Sequence, residues 1–192
     1  MPTPNPAALE FLLSRRSRPA KTLIGPVPTR DALGPLLEAA ARTPDHGKLE
    51  PWRFIVLEKP ALTRLSILVA DMAAGRDLDD DQRQKAINQY ANADLAVAVI
   101  SSPKDSPKVP HIEQVYSAGA ACLALLNASL AAGWGANWLS GWASHDPVFR
   151  KRGLDLADHE VIAGFIHIGT EKTAPPERPR PDLDAITTWV TE

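Results

Sequence analysis

The chain has 192 residues, a formal net charge of −2 and a hydrophobic fraction of 44%, the profile of a soluble globular protein with a sizeable core. This near-neutral charge gives no electrostatic reason to expect nucleic-acid or anionic-membrane binding. Cys122 is the only cysteine, which excludes an intrachain disulfide and a cysteine-based metal cluster. Because residues 1–10 lack a signal-peptide pattern and no apolar segment approaches the ~20 residues that span a bilayer, we expect a cytoplasmic protein.

Hydrophobic periodicity predicts alternating helices and strands along one domain that covers residues 1–192. Apolar residues recur at helical spacing in four early segments: 6–13, the segment that follows the capping residue Thr29, 60–73 and 81–91. Strands are predicted at 53–57 and at 94–100. The second strand is apolar almost throughout, which indicates that both of its faces are buried.

Prolines mark the irregular segments, and many of the 18 lie near the chain ends or in one loop. They indicate a flexible arm over residues 1–5, a loop over 102–110 and an extended tail over 171–192. The polar stretch 75–84 is interpreted as a solvated surface loop with four acidic side chains: Asp77, Asp79, Asp80 and Asp81.

The first predicted helix leads into three arginines that are flanked by serines, Ser14-Arg15-Arg16-Ser17-Arg18. Such a run of charge is often a solvated part of the surface. It can also hold a phosphate group, because guanidinium forks and serine hydroxyls match the geometry of phosphate oxygens. This segment is therefore a candidate anion site.

A polar loop over residues 42–54 joins the second helix to the first strand and contains Arg42, Asp45, His46 and Lys48. Helical geometry is disfavoured before a proline, so Thr43-Pro44 ends the helix. Loops that carry ionisable side chains between packed elements are candidate sites. The alternative is a plain turn that leads into a core strand.

The longest predicted helix, 110–132, is apolar on nearly every face and contains the small-residue run Ser117-Ala118-Gly119-Ala120-Ala121. A helix of this kind must be buried by more than one neighbour. Its small residues let another backbone approach closely. It is either the core helix of a monomer or the contact helix of a dimer.

After this helix, Gly133 and Gly135 allow the left-handed geometry that ends helices, and a short strand then ends at Ser140-Gly141. Gly141 has no Cβ, so a ligand could approach its backbone closely. The alternative is a glycine turn beside core aromatic residues.

Three further elements are predicted near the C-terminus: a short helix capped by Asp146, a strand at 160–169, and a final strand at 186–190 that extends across a partner subunit. His167 lies between Ile166 and Ile168, and we interpret it as a structural histidine with satisfied hydrogen bonds. The Gly-x-x-x-x-Gly of the strand at 160–169 lacks a following lysine, so it is not a phosphate-binding P-loop.

Four of these motifs, in this order, resemble the flavin-dependent nitroreductase family. The frame from Ala41 to Phe54, which ends in Pro51-Trp52-Arg53-Phe54, is similar to the family's Ala-Pro-Ser-x-x-Asn-x-Gln-Pro-Trp-x-Phe. Asp45-His46 resembles the Ala-Pro-Asp-His of its short, single-domain NAD(P)H nitroreductase-like branch. The other three motifs are the Arg-Arg-Ser run, the central helix and the glycine turn before a tryptophan-containing strand. Asp45, Lys48 and Glu50 depart from the family's Ser, Asn and Gln.

The resemblance implies an α+β fold, a three-layer α-β-α sandwich in which helices flank a central, mostly antiparallel sheet, and it implies a homodimer. It implies FMN as the cofactor. The residues expected to hold the FMN phosphate and ribityl chain are Arg15, Arg16, Ser17 and a tail arginine, Arg180, with Arg178 as the alternative. The backbone expected to face the flavin ring is Trp138, Leu139, Ser140 and Gly141.

Two more groups of residues follow from the same resemblance. Arg42 and His46 are expected to reach FMN from the partner subunit. A weaker expectation places NAD(P) near the end of the long helix, at Ala128, Ser129, Leu130, Ala131, Ala132 and Gly133.

The chain lacks a nucleophile elbow, a Gly-x-Gly-x-x-Gly fingerprint and a metal-binding His-Glu-x-x-His motif, so no catalytic side chain and no metal site are predicted. In a flavoenzyme the cofactor carries the chemistry. The predicted function is FMN-dependent transfer of reducing equivalents from NAD(P)H, by ping-pong kinetics, to a nitroaromatic or quinone-like acceptor. The alternatives are a flavin-sequestering protein without efficient turnover and a ligand-free dimeric interaction module.

Overall fold

An antiparallel sheet of five strands runs through the centre of the protein, and the computed structural model describes it within residues 3–192. The first two positions of the predicted arm lie outside the described residues. The strands are β1 (Leu23–Ile24), β2 (Trp52–Glu58), β3 (Leu95–Ser101), β4 (Gly135–Leu139) and β5 (Val161–Glu171). Strand β5 pairs with β1, β3 and β4, and β2 extends the sheet beyond β3.

Helices cover both faces of this sheet. They are α1 (Pro6–Ser14), α2 (Arg30–Ala41), α3 (Lys59–Ala74), α4 (Asp80–Ala91), α5 (His111–Ala131), α6 (Trp142–His145), α7 (Pro147–Leu154) and α8 (Leu183–Ile186). Thr29 and Asp146 cap α2 and α7 as predicted, because their side chains accept backbone N–H groups of the first turn. Helix α2 ends at Ala41, just before Thr43-Pro44.

Two apolar cores lie on opposite faces of the sheet, and β3 contributes to both because its side chains alternate. Ala96, Ala98 and Ile100 pack with α3, α4 and α7, whereas Val97 and Val99 pack with α2 and α5. All seven residues of β3 are buried, which confirms the prediction of a fully buried strand. The predicted three-layer α-β-α sandwich is therefore confirmed.

Helix α5 packs between α2 and the sheet, so it is a core helix of the protomer. Within residues 3–192 it is also the one helix whose length and hydropathy alone would suit a membrane span, as those of a buried core helix can, although the sequence predicts no apolar segment of that length. Of its small-residue run, Ser117, Ala118 and Ala121 are buried inside the protomer. Gly119 and Ala120 face outward.

Several local predictions are wrong. Within the described chain residues 186–190 form no strand: α8 occupies Leu183–Ile186, and Trp189 is 86% exposed. Extension of this segment across a partner subunit stays a prediction. The acidic stretch is not all loop. Asp79 forms a capping box with Gln82, and Asp80 and Asp81 occupy the first turn of α4, where the helix dipole favours negative charge. Strand β1 and helix α6 were not predicted.

Candidate functional site

A cavity of about 1030 Å³ opens between α4 and the junction of β4 with α6, and we refer to it as the α4 cavity. One wall is the inner face of α4, which includes Gln89 and Tyr90. The segment Pro19-Ala20-Lys21 forms a second wall. Strands β4 and β5 form the floor, where Asn137 and His167 are direct cross-strand neighbours. The volume is at the upper end of the ~300–1,000 Å³ typical of small-molecule sites.

The rim of the α4 cavity contains the predicted step at Leu139, Ser140 and Gly141. Gly141 has a φ of 140°, which a residue with a side chain rarely adopts, and a Cβ there would lie 3.3 Å from Oε1 of Gln89. The close passage of the backbone past α4 therefore depends on glycine at this position.

Trp138 faces away from the cavity. Its side chain lies on the other face of the sheet, where Ile166 is its cross-strand neighbour. Its indole covers Gly164 so closely that a Cβ added to Gly164 would lie 1.9 Å from the indole Nε1. Only the backbone of Trp138, between Asn137 and Leu139, lies next to the cavity.

Arg15, Arg16 and Arg180 form a cluster of positive charge, which we call the arginine cluster. Arg15 donates a hydrogen bond of 2.9 Å to the hydroxyl of Ser17, and neither Arg15 nor Arg16 has a carboxylate partner within residues 3–192. The Nε atoms of both are buried without a hydrogen-bond acceptor in that range. Burial lowers the pKa of Arg15, and the charges of Arg180 and then Arg16 lower it further.

Of the two tail arginines considered from the sequence, Arg180 is the one whose charge acts on Arg15. The main-chain N–H of Arg178 bonds to Glu177 at 3.0 Å, and its side chain is exposed. Arg180 also pairs with Glu177, at 2.8 Å, which leaves Arg15 and Arg16 as the uncompensated members of the cluster.

Two hydrogen bonds attach Arg18, which follows the arginine cluster in the chain, to β4 beside the α4 cavity. The Arg18 N–H donates to the carbonyl of Ala136, and the Asn137 amide donates to the Arg18 carbonyl, each at 2.8 Å. The residues that follow, Pro19 to Lys21, line the cavity wall. A ligand with a phosphate at one end could therefore occupy the cluster and the cavity together.

Three polar atoms beside the α4 cavity are buried and have no hydrogen-bond partner among the described residues: Nε2 of Gln89, Nε1 of Trp142 and Nε2 of His167. Buried polar groups are normally hydrogen-bonded, so this concentration is unusual. The prediction that the hydrogen bonds of His167 are satisfied is wrong for Nε2 among the described residues. Its burial lowers its pKa to about 4, so the imidazole is neutral at physiological pH.

The model of the nitroreductase family matches residues 14–170, most of the chain. The chain belongs to the nitroreductase family. It is 37% identical over 163 residues to an Escherichia coli K12 protein named "Putative NAD(P)H nitroreductase YdjA", and the match covers 85% of this chain and 87% of the relative.

Solved structures show the same fold. A nitroreductase-like family protein from Bacillus cereus superimposes with a TM-score of 0.77 at 21% identity and covers 99% of this chain and 98% of its own. A nitroreductase from Bacteroides fragilis, solved with bound FMN, gives a TM-score of 0.73 at 21% identity, with coverage of 95% and 98%.

The loop that contains Arg42 and His46 lies on the α5 side of the sheet, away from the α4 cavity. His46 is 2.6 Å from Glu113 in the first turn of α5, and Arg42 is exposed at the end of α2. The Ser117 hydroxyl holds this loop by donating to the Pro44 carbonyl at 2.8 Å and accepting from the Trp52 indole at 3.0 Å. Within one protomer, neither Arg42 nor His46 lines the cavity.

The loop is also conformationally unusual. Gly47, Lys48 and Glu50 all have φ values between 49° and 77°, and two of them carry side chains. Asp45 stabilises this path because its carboxylate accepts the Leu49 N–H at 2.6 Å. Left-handed geometry at non-glycine residues is costly and is common at functional sites.

The segment weakly expected to bind NAD(P) lies at the end of α5, outside the α4 cavity. Ser129 is buried, and its hydroxyl donates to the Leu125 carbonyl, whereas Ala131, Ala132 and Gly133 are exposed. Sequence reasoning missed α4 as a wall of the site. The polar residues of α4 look like an ordinary solvated helix, and only packing shows that Gln89 turns inward.

Proposed function

We propose that the protein binds FMN, with its phosphate at the arginine cluster and its flavin ring in the α4 cavity, and works as an NAD(P)H oxidoreductase. The observation that carries the proposal is the pair of partly buried guanidinium groups, Arg15 and Arg16, that lack a carboxylate partner within residues 3–192 and adjoin a large cavity. The bound FMN of the Bacteroides fragilis structure and the name of the E. coli relative support it.

The arginine cluster has the properties that a phosphate site needs. Three like charges repel one another, and partial burial makes the repulsion stronger than it would be in water. A phosphate group would neutralise this charge and accept hydrogen bonds from the guanidinium groups and from the Ser17 hydroxyl. The residues present therefore fit the phosphate end of FMN.

The α4 cavity fits the flat, mostly apolar ring of the same cofactor. Leu139, Tyr90 and Trp142 supply apolar lining, and the bare backbone at Gly141 allows close approach. When bound, FMN supplies the redox chemistry, accepting a hydride from reduced nicotinamide and passing electrons to an acceptor. The role of the chain is then to bind, orient and shield the ring.

The open rim at Ser140 and Gly141 is the natural entrance for both substrates. Because one cavity would serve NAD(P)H and then the acceptor in turn, we expect ping-pong kinetics. A flat nitroaromatic or quinone-like acceptor suits the apolar lining. A cytoplasmic location stays a prediction from the sequence.

We further propose a homodimer that forms through α5. Ile112, Tyr116 and Leu123 share one face of this helix and are 50%, 67% and 45% exposed. Gly119 lies in the same stripe, and a Cβ built there meets no atom within 4 Å. A second copy of α5 could therefore approach closely and bury this apolar stripe.

Such a dimer would explain how Arg42 and His46 reach FMN. Both lie on the α5 side of their own sheet, next to the proposed contact face, and His46 is fixed there by Glu113. We propose that they complete the site of the partner subunit.

A mixed dimer tests the shared site. One subunit carries Arg15→Ala, and the other carries Arg42→Ala with His46→Ala. Sharing predicts one undamaged site for each mixed dimer, so flavin binds at half stoichiometry with unchanged affinity. If each site instead contains only the changes of its own chain, no site keeps full affinity, and the cross-subunit assignment fails.

The main proposal is tested on freshly purified protein. Mass spectrometry and absorbance should identify FMN, and NADH or NADPH should bleach the flavin bands under anaerobic conditions. Protein that has no flavin and does not bind added FMN contradicts the proposal. Flavin that binds but is not reduced by either nicotinamide instead supports the flavin-sequestering alternative.

A further inference from the structure

His167 is a deeply buried ionisable residue at the α4 cavity. Its residue surface is 2% exposed, and it lies at the floor, beside Asn137 of the neighbouring strand. The alternation of β5 directs it to the same face as Phe165, whereas Ile166 and Ile168 belong to the core on the other face. The imidazole therefore lies on the side of the sheet where the cavity opens.

The Nε2 atom of His167 is buried and has no hydrogen-bond partner among the described residues. An unpaired buried polar atom destabilises a protein, and an apolar side chain of similar size would avoid this cost. A histidine at this position is therefore unfavourable for folding alone. Such an atom is expected where a ligand completes the hydrogen bond.

Two other unpaired groups show which chemistry the missing partner has. The Gln89 amide nitrogen and the Trp142 indole nitrogen are both hydrogen-bond donors, and both line the same cavity. A ligand that satisfies these donors must present hydrogen-bond acceptors, such as carbonyl oxygens or unprotonated ring nitrogens, on its edge. The surrounding apolar lining calls for flat aromatic faces.

We propose that Nε2 of His167 forms a hydrogen bond to the polar edge of the flavin ring at the floor of the α4 cavity. This inference rests on the proposed function, since it assigns FMN to the cavity. The arginine cluster contains none of the residues that line the cavity, so the contact is to the ring rather than to the phosphate. The neutral state of the buried imidazole leaves it one N–H and one bare nitrogen for this bond.

Three variants test the contact through binding, without any activity assay. His167→Phe keeps a planar ring and removes the hydrogen bond, and His167→Gln keeps a polar group. Ile166→Val is the matched control, because it changes the neighbouring residue of the same strand on the opposite face. Flavin-free preparations of each are titrated with FMN and with riboflavin, which shares the ring but lacks the phosphate.

We expect His167→Phe to weaken the binding of FMN and of riboflavin by the same factor, about tenfold, because the lost contact is to the ring that both share. His167→Gln should recover part of this loss, and Ile166→Val should bind as the unchanged protein does. The flavin-free His167→Phe protein should be at least as resistant to urea as the unchanged protein. This combination separates a ligand contact from a purely structural role.

Other outcomes overturn the inference. Unchanged flavin affinity in His167→Phe contradicts it and leaves the proposed function intact, whereas failure of the unchanged protein to bind flavin defeats both. A loss confined to FMN would place the contact at the phosphate.

A spectroscopic measurement remains decisive if His167→Phe does not fold. In ¹⁵N-histidine-labelled protein, the ring signals that disappear in His167→Gln identify His167. Addition of FMN to the unchanged protein should shift the Nε2 signal, and a signal that does not move contradicts the proposal.

Discussion

The arginine cluster leads to a sharp prediction about cofactor binding. Arg15→Ala removes a guanidinium that is partly buried, that donates to Ser17 at 2.9 Å and whose pKa is lowered by burial and by Arg180 and Arg16. In the proposed complex this group donates to the FMN phosphate. Its removal should therefore weaken FMN binding and leave the binding of riboflavin, which has no phosphate, almost unchanged.

The size of the effect follows from the character of the lost bond. A hydrogen bond to a charged group contributes about 1.5–3 kcal/mol, which corresponds to roughly 10- to 150-fold in the dissociation constant. The flavin-free protein should respond differently. Because Arg15 is repelled by two neighbouring cations and has no carboxylate partner within residues 3–192, Arg15→Ala should not lower the free energy of unfolding without FMN.

Fluorescence titration of flavin-free protein with FMN and riboflavin measures both constants, and urea denaturation measures stability. Arg178→Ala is the matched control, since it removes the same charge from the C-terminal tail, two residues from Arg180, at an exposed position whose charge does not act on Arg15. Arg180→Ala should weaken FMN binding, as Arg15→Ala does. Binding of FMN to Arg15→Ala within twofold of the unchanged protein, or an equal loss for riboflavin, would refute the phosphate assignment.

Three further variants test the assembly and the framework of the site. Gly119→Arg should leave the protomer folded and raise the dimer dissociation constant at least about tenfold in sedimentation experiments. Gly75→Arg is the control and should not raise it, because a Cβ at Gly75 also meets no atom within 4 Å. A dimer that Gly119→Arg leaves unchanged contradicts the α5 interface. Glu160→Gln should lower the free energy of unfolding at pH 7 by about 2 kcal/mol, because Arg53 holds the pKa of Glu160 at about 2. This stabilisation is complete above about pH 4.5 and is lost as the pH falls toward 2. If the difference in unfolding free energy between Glu160→Gln and the unchanged protein stays constant down to pH 3, the explanation is wrong. Ser117→Ala removes two hydrogen bonds and should cost about 2 kcal/mol in urea denaturation; no loss would show that this hydroxyl does not stabilise the loop.

The sequence by itself determined the elements whose signals are local. Thr29 and Asp146 were identified as caps because a cap is recognised by the few residues beside it. The end of α2 followed from Thr43-Pro44, and the burial of β3 from its continuous apolar run. The order of four such motifs is also enough to indicate the family.

Local signals failed where a second element decides the outcome. The polar stretch 75–84 predicts a loop because of its density of charge, but the capping box at Asp79 starts α4 within it, at Asp80. The segment 186–190 is predicted as a final strand that extends across a partner subunit, and a strand needs an edge to pair with. In the described protomer no such edge lies beside Trp189, which remains exposed.

Only the tertiary structure decided how the candidate site is assembled. Arg180 acts on Arg15 from the far end of the chain, and α4 closes a cavity against β4 and α6. Periodicity shows that His167 points to one face of β5, but not whether its ring nitrogen finds a partner. That depends on which atoms of distant elements come within hydrogen-bond distance, and it is settled when the layers pack together.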